Sequence, residues 1–168
     1  YTLKSHVGRV AGHTLAFVGD GNNMARSLAV VCGVLGMRFV LAAPPAYRFD
    51  DAFRKHLATI LPEADIEETT DPVAAVKGAA VVYTDVWTSM GQEAERTQRL
   101  DALKAYQVNE RLMAHAPEAL FMHCLPARRG EEVTDAVIDG PQSVVVEEAA
   151  NRMHVQKGLL AWMLGPAR

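Results

Sequence analysis

Residues 15–36, LAFVGDGNNMARSLAVVCGVLG, contain the pattern that decides the fold. The run LAFV at 15–18 is short and continuously apolar, which is typical of a strand buried on both faces. The polar turn GDGNN follows at once, and the apolar residues of MARSLAVVCGVLG then fit a buried helix. A buried strand that passes through a glycine turn into a helix indicates an α/β fold.

This strand, turn and helix pattern recurs along the chain. FVLAAP at 39–44 precedes the helical pattern DDAFRKHLATIL, and a weaker strand lies near Ile66. Asp71-Pro72 predicts a helix N-cap with proline at the first helical position. Further strands are predicted in AAVVYTD at 79–85, ALFMHC at 119–124 and SVVVEEA at 143–149. The alternation predicts a doubly wound α/β domain, with a parallel sheet, helices on both faces and right-handed crossovers.

Length and composition narrow the class of protein. The chain has 168 residues, of which 49% are hydrophobic and 22% charged, and its net charge is −3. This charge gives no basic footprint for nucleic acid, and no apolar run approaches the roughly 20 residues of a membrane span. Cys32 and Cys124, without a secretory signal ahead of them, favour free thiols in a reducing, cytoplasmic compartment. Because the chain begins at Tyr1 inside a helical pattern, we expect a piece of a longer polypeptide.

Four polar loops follow predicted strands. They are GDGNNM after the first strand, DVWTSMGQE after the fourth, HCLPARRG after the fifth and EEAANR after the sixth. Ligands of open parallel sheets bind outside the carboxyl ends of the strands, near the point where the strand order reverses. We therefore expect these loops to converge on one ligand site although they are far apart in sequence.

The loop GDGNNM offers part of a dinucleotide fingerprint. It has Gly19 and Gly21, but Met24 stands where the third glycine is required. The second strand ends in AAPPAYR and lacks the acidic residue that would hold a ribose, so nicotinamide binding is disfavoured. The glycines can simply form a tight turn. Alternatively, the amides of Asn22 and Asn23 lie at a helix N-terminus and favour a carboxylate or phosphate.

The loop DVWTSMGQE has two interpretations. Asp85 ends an apolar strand and Ser89 follows in a glycine-containing turn, so the two side chains can bind an ammonium group. Backbone N–H groups near Met90 can then bind a carboxylate. The alternative is an Asx-type turn that caps a helix beginning near Glu93. The residues alone do not separate these interpretations.

The pair His123 and Cys124 closes the fifth strand. Neighbouring strand residues point to opposite faces, so the two side chains are poorly placed to bind one metal ion. For the same reason they are poorly placed to form a catalytic dyad of a cysteine nucleophile and a histidine base. The Leu125-Pro126 turn and the pair Arg128-Arg129 instead indicate a strand end at the ligand edge. Contact with a substrate is the interpretation we favour, whereas Cys32 on its apolar helix is assigned to the core.

The last helical segment places a cation after the sixth predicted strand. Arg152 follows a strand ending in Glu147 and Glu148, so it is expected at the start of the last helix, where it can contact an anion or oxyanion. The segment NRMHVQKGLLAWML is apolar around most of its circumference from Leu159 onward. Such a helix is usually buried on more than one side, so we expect a partner surface that this chain does not contain.

Four segments resemble the carboxyl-terminal half of the ornithine carbamoyltransferases. They are GDGNNMARSL, DVWTSMGQE, HCLPARRGEEVT and EEAANRMHVQKGLL, in this order and spacing, and HVGRVAGHTLAFVGDG is similar to the segment that enters that half. The resemblance covers essentially the whole chain. It implies a Rossmann-like ornithine-binding domain over 1–168, with the remnant of an interdomain helix and entry loop at 1–13. It also implies that a C-terminal helix at 151–164 packs on a carbamoyl phosphate domain.

The resemblance implies a reaction and a set of site residues. The family transfers the carbamoyl group of carbamoyl phosphate to the side-chain amine of L-ornithine, giving L-citrulline and phosphate. The α-amino and α-carboxylate groups of ornithine would be held by Asn23, Asp85, Ser89 and Met90. The reaction centre would be lined by Cys124 and Leu125. The carbamoyl group would be contacted by His123 and Arg152. The transfer is expected to be direct, without a thioester on Cys124, a metal or an organic cofactor.

The resemblance also leaves a part of the enzyme unaccounted for. The family's Ser-x-Arg-Thr motif, which cradles the phosphate, lies in the amino-terminal half and does not occur here. The chain is therefore expected to be about half of an enzyme whose complete form is usually a homotrimer. One alternative is a carbamoyltransferase acting on putrescine or acylated ornithine, against which Ser89-Met90-Gly91 argues. The other is a non-catalytic amino-acid-binding module.

Overall fold

The computed structural model describes residues 1–88, 91 and 93–165, and a parallel sheet organises them. The strands are β1 (Thr14–Val18), β2 (Arg38–Ala42), β3 (Ile66–Thr69), β4 (Val81–Thr84) and β5 (Leu120–His123). The α-helices are α1 (Thr2–Val7), α2 (Asn23–Leu35), α3 (Asp51–Ile60), α4 (Pro72–Val76), α5 (Arg96–Leu103), α6 (Glu110–Met113), α7 (Asp135–Ile138) and α8 (Val145–Leu164). The strand order is β3-β2-β1-β4-β5, with parallel pairing throughout.

Both faces of the sheet are covered, as the apolar strands predicted. Leu15 and Phe17 belong to one buried cluster, to which α2 contributes Cys32. Ala16 and Val18 point to the opposite face, where α4, α6 and α7 contribute to a second cluster. The doubly wound architecture is therefore confirmed. Cys32 is buried in the core, as predicted.

The prediction of a sixth strand at 143–149 was wrong. Only a single bridge forms there, between Ser143 and Phe121, and α8 begins two residues later. Val145 is buried but Val146 is exposed, so the valine run does not lie between two layers. Glu147 and Glu148 in the first turn favour a helix because the amino end of a helix carries partial positive charge. The alanine, glutamine, lysine and leucine residues that follow are good helix formers.

The last helix is consequently longer than predicted. It begins at Val145 instead of near Asn151, so Arg152 lies inside the helix and not at its start. Its carboxyl-terminal half is exposed: Leu160 is 56% and Trp162 is 79% accessible. Among residues 1–88, 91 and 93–165, no helix, α8 included, combines the length and apolar character needed to cross a bilayer.

The strand order reverses at β1. The chain moves outward from β1 to β2 and β3, then returns to place β4 on the other side of β1. The loops that leave β1 and β4 therefore diverge and leave a crevice at their carboxyl ends. In open α/β sheets, ligands bind in a crevice of this kind.

Candidate functional site

Three loops meet at the carboxylate of Asp85, which directly follows β4. The side-chain amide of Asn22 donates to Oδ2 of Asp85 over 2.9 Å. The thiol of Cys124 donates to Oδ1 over 3.1 Å. The predicted convergence of the loops after the first, fourth and fifth strands is therefore present in the structure. We name Asn22, Asp85 and Cys124 the loop junction.

Asn22 fixes this junction because it is also the N-cap of α2. Its Oδ1 accepts hydrogen bonds from the backbone N–H groups of Met24 and Ala25, at 3.0 and 3.1 Å. An Asn side chain is preferred at the N-cap because it satisfies such N–H groups. With Oδ1 used in this way, the amide nitrogen is aimed at Asp85. This contact was not predicted from the sequence, in which Asn22 was expected only to favour an anion at the helix N-terminus.

Asn23 is the first residue of α2 and is exposed. It lies with Asp20, Arg26 and Arg99 around a polar cavity of about 670 Å³ beside the junction. The structure therefore places Asn23 at the predicted edge of the sheet, where a helix N-terminus favours an anion.

The glycines of this loop serve the backbone. Gly19 has φ of +137°, which disfavours other residues, and a Cβ on Gly21 would lie 2.9 Å from the carbonyl oxygen of Tyr47. The backbone N–H of Gly21 donates to that same carbonyl. Of the interpretations considered for these glycines, this geometry supports the tight turn.

Cys124 is a neutral thiol at this site. Burial, followed by the charge and hydrogen bond of Asp85, raises the pKa of Cys124 to about 12. A thiolate is the nucleophilic form of cysteine, and almost none of it exists at neutral pH with such a pKa. A protonated thiol suits the predicted substrate contact better than covalent chemistry, and the role of Cys124 stays a prediction.

His123 is engaged inside the protein. Its side chain is fully buried, and Nδ1 accepts a hydrogen bond from the backbone N–H of Leu125 over 2.9 Å. The proton therefore sits on Nε2, which faces Oε1 of Glu132 at 3.1 Å. Oε1 of Glu132 also accepts from the backbone N–H of Arg128. The predicted side-chain contact of His123 with a carbamoyl group stays a prediction, and it would require one of these bonds to break.

His123 and Cys124 do not point as far apart as the strand alternation predicted. Ligand atoms of Asp85, His123 and Cys124 all lie within 4.8 Å of one another, a separation compatible with a shared metal ion. The reason is that β5 ends at His123, so Cys124 belongs to the turn and does not follow the strand alternation. Because these groups already hydrogen-bond within the protein, a metal would have to displace those bonds.

Other predicted residues lie around the junction. Leu125 is half-buried and adopts a left-handed backbone conformation with φ of 55°. Arg152 is exposed on α8 and lines, with Cys124, a mostly apolar groove of about 800 Å³. Arg129 forms ion pairs with Asp135 and Asp139 on the surface. Ser89 and Met90 lie outside the described residues.

A largely buried ion pair, which was not predicted from the sequence, supports the loop after β4. Arg99 of α5 donates to Asp20 over 2.6 Å and to the carbonyl oxygen of Trp87 over 3.2 Å. The guanidinium also lies 5.2 Å from the ring centroid of Tyr47. Burial raises the pKa of Asp20 even though Arg99 opposes this effect. The pair ties the loop after β4 to the loop after β1.

A second missed group is Glu148 in the first turn of α8. Its Oε1 accepts from the hydroxyl of Tyr83 over 2.7 Å, and its Oε2 accepts from the backbone N–H of His123 over 3.1 Å. Burial raises the pKa of Glu148. Two consecutive glutamates usually indicate a solvated surface, so the sequence held no signal that one of them was half-buried.

Comparison with known proteins identifies the family. The family described as "Aspartate/ornithine carbamoyltransferase, Asp/Orn binding domain" matches residues 11–163. Ornithine carbamoyltransferase from Methanopyrus kandleri is 50% identical over 168 residues, covering 98% of this chain and 54% of that protein. The structure of ornithine carbamoyltransferase from Pyrococcus furiosus superposes with a TM-score of 0.91 at 47% identity, covering 99% of this chain and 54% of that one.

A further structure, ornithine carbamoyltransferase from Gloeobacter violaceus, gives a TM-score of 0.84 at 42% identity over 98% of this chain and 55% of that one. The fold, the junction at the reversal of strand order and these similarities agree. The chain belongs to the aspartate/ornithine carbamoyltransferase family and contains its Asp/Orn-binding domain. It spans about half the length of the relatives that it matches.

Proposed function

We propose that the complete protein is an ornithine carbamoyltransferase and that this chain is its ornithine-binding half. The reaction transfers the carbamoyl group of carbamoyl phosphate to the side-chain amine of L-ornithine, giving L-citrulline and phosphate. The observation that carries the proposal is the loop junction, in which a carboxylate and a protonated thiol meet at the reversal of strand order. Membership of the family supports the proposal, as does a relative named ornithine carbamoyltransferase whose sequence is 50% identical.

The chemistry of this transfer suits a half-buried carboxylate. An alkyl ammonium with a pKa of about 10.4 must lose a proton before its nitrogen can attack. Partial burial of the site favours the neutral form of the side-chain amine. Asp85 supplies the negative charge that binds the other nitrogen of the substrate, the α-ammonium group. The nitrogen then bonds to the carbonyl carbon, the bond from that carbon to the phosphate oxygen breaks, and the proton that the nitrogen loses leaves with the phosphate. The oxyanion that develops needs a positioned donor, for which we propose Arg152, with His123 as a second candidate.

The amino-acid end of ornithine is assigned to the edge beside α2. We propose that Asn23, Asp85, Ser89 and Met90 hold its α-amino and α-carboxylate groups. The position of Asn23 at the amino end of a 13-residue helix supports binding of the carboxylate. Cys124 and Leu125 would line the reaction centre, and Cys124 would act as a contact without forming a covalent intermediate.

The remaining half of the enzyme would cover α8. This helix is exposed from Arg152 onward, and its exposed apolar side chains include Val155, Leu159, Leu160, Trp162 and Met163. Neighbouring exposed apolar side chains of this kind often mark an interaction surface. Since the matched relatives are about twice as long, we propose that the carbamoyl phosphate domain packs there. Residues 1–13 would form the connection to it.

We further propose that the complete protein is a homotrimer or a multiple of trimers and works without a metal or an organic cofactor. Cys32 and Cys124 are both free thiols in the structure, which agrees with a reducing, cytoplasmic location.

A substrate panel tests the proposal. The complete protein should be supplied with carbamoyl phosphate and, in separate reactions, with L-ornithine, putrescine or N-acetyl-L-ornithine, and the carbamoylated product should be quantified by mass spectrometry. We expect citrulline formation to exceed the other two products by at least about 100-fold in kcat/KM, because the site binds a free α-amino group. A preference for putrescine or N-acetyl-L-ornithine would contradict the proposal. Ornithine binding without any turnover would instead support the non-catalytic module.

A further inference from the structure

Glu148 occupies a position that none of the roles proposed above includes. Its carboxylate joins three elements at the ligand edge: α8 through its own backbone, β4 through the hydroxyl of Tyr83, and β5 through the backbone N–H of His123. Each of these elements carries a proposed site residue within a few positions of the contact. Asp85 follows Tyr83, Cys124 follows His123, and Arg152 follows Glu148 by one helical turn.

The contact with β5 explains how the edge of the sheet is closed. The backbone of Phe121 exchanges hydrogen bonds with Gln142 and Val144, as if a sixth strand were beginning. The chain then turns into α8, and the next outward N–H, that of His123, meets a side chain instead of a backbone carbonyl. The carboxylate of Glu148 accepts that N–H at 3.1 Å and so replaces the carbonyl of the absent strand. A bond to a charged acceptor of this kind is stronger than a neutral one.

The contact with β4 is buried and directional. Tyr83 is 3% exposed, and its ring stacks on Phe17 with centroids 5.8 Å apart. The ring is therefore held by the core, and its hydroxyl offers a fixed point 2.7 Å from Oε1 of Glu148. Two fixed donors, one from each strand, determine where the first turn of α8 can lie.

We propose that Glu148 is a positioning residue of the reaction centre, with Tyr83 as its fixed partner. The pair sets the start of α8 against the end of β5, and thereby the placement of Arg152 relative to Cys124 and Leu125. Residues at i and i+4 share one face of a helix, so Arg152 lies on the side that Glu148 faces, and both line the same groove as Cys124. This inference rests on the proposed carbamoyl transfer.

Steady-state kinetics of the complete protein test the inference with three variants. Glu148→Ala removes both contacts and should lower kcat by at least about tenfold, because small displacements of a catalytic group have effects of this size. Its KM for ornithine should stay within about twofold, since the proposed ornithine residues lie on other loops. Glu148→Gln can still accept from His123 and donate to the oxygen of Tyr83, so it should keep kcat within about threefold of the wild type. Tyr83→Phe keeps the ring and should fall between the two.

Glu147→Ala is the matched control. Glu147 lies in the same turn of α8 and has the same charge, but its partners are Ser5, His6 and Asn151, away from the junction. Its kcat should stay within about twofold of the wild type, since exposed ion pairs contribute little.

The outcomes separate this inference from the proposed function. Wild-type protein that makes no citrulline would overturn the function, whatever Glu148 does. Active wild-type protein with unchanged kcat in Glu148→Ala would overturn the positioning role alone, and a lower melting temperature would then identify a purely structural residue. Loss of activity in Glu148→Gln as complete as in Glu148→Ala would also overturn it, because the charge itself would be required. If Glu148→Ala does not fold, Tyr83→Phe decides, and a kcat equal to that of the wild type would refute the inference.

Discussion

At the scale of single residues, the charge of Asp85 is the feature on which ornithine binding should depend. Asp85→Asn keeps the shape of the side chain but removes the charge of its hydrogen bonds, which are typically worth about 1.5–3 kcal/mol. We expect kcat/KM for ornithine to fall by at least about tenfold in the complete protein. Asp51→Asn, at a side chain that is 84% exposed, is the control and should leave the value unchanged. Equal kinetics in both variants would remove Asp85 from the site.

Cys124 provides a second prediction at this scale. A pKa of about 12 keeps the thiol protonated, so alkylation by iodoacetamide should be slow at pH 8 and should accelerate as the pH rises toward that pKa. Cys124→Ala should weaken ornithine use yet leave measurable turnover, because it removes packing and not a reaction step. Peptide mass spectrometry during turnover tests the same point. A carbamoylated Cys124 would show that the cysteine is a nucleophile after all.

At the scale of elements, the buried pair of Arg99 and Asp20 should stabilise the loop after β4. Removing one partner of a buried pair leaves an uncompensated charge, at a cost of about 3–5 kcal/mol. Both side chains keep 10–15% exposure, so we expect Arg99→Ala to lower the free energy of unfolding by roughly 3 kcal/mol, measured in urea. Arg129→Ala, which removes the surface ion pairs with Asp135 and Asp139, should cost no more than about 1 kcal/mol.

A double-mutant cycle isolates the pair. If the charge left on Asp20 causes most of the loss, Asp20→Asn should restore part of the stability of Arg99→Ala. Additive losses in the double variant would instead show that Arg99 acts through its contacts with Trp87 and Tyr47.

The elements differed in how far the sequence could predict them. β1, β2, β4 and β5 are short apolar runs between turns, and a central parallel strand needs no other signal. The run of valines at 144–146 gives the same signal, yet the segment becomes helix. The choice there depends on Glu148 reaching Tyr83 and His123, contacts that span 65 and 25 residues. A local pattern cannot reveal contacts of that separation.

The candidate site shows the same limit. Asp85 and Cys124 could be placed together because the carboxyl ends of parallel strands share one edge. The contacts of Asp20 with Arg99 and of His123 with Glu132 could not be predicted, because Arg99 and Glu132 look like ordinary surface charges in the sequence. The sequence thus predicted that Asp85 and Cys124 meet at the crevice, but not the buried contacts that hold the surrounding loops.

At the scale of the whole molecule, the chain should fold by itself but should not catalyse carbamoyl transfer. The sheet has its own core on both faces, and a chain of this length buries enough surface to be stable. The loop junction lies within it, whereas the Ser-x-Arg-Thr segment that the resemblance implies for phosphate binding does not occur in its sequence. Positioning both substrates contributes about 7–11 kcal/mol to such reactions, so citrulline formation by the isolated chain should remain at background.

Activity should return when the amino-terminal half is joined covalently, because α8 then has the surface that its apolar side needs. Leu160→Glu places a charge on that side and should weaken domain docking, lowering citrulline formation in the joined protein by about tenfold or more. Ile60→Glu, at an exposed apolar residue of α3, is the control and should leave the rate unchanged. An isolated chain that forms citrulline at the rate of the joined protein would place the carbamoyl phosphate site within these residues. Equal rates in the joined Leu160→Glu and wild-type proteins would show that the other half packs elsewhere.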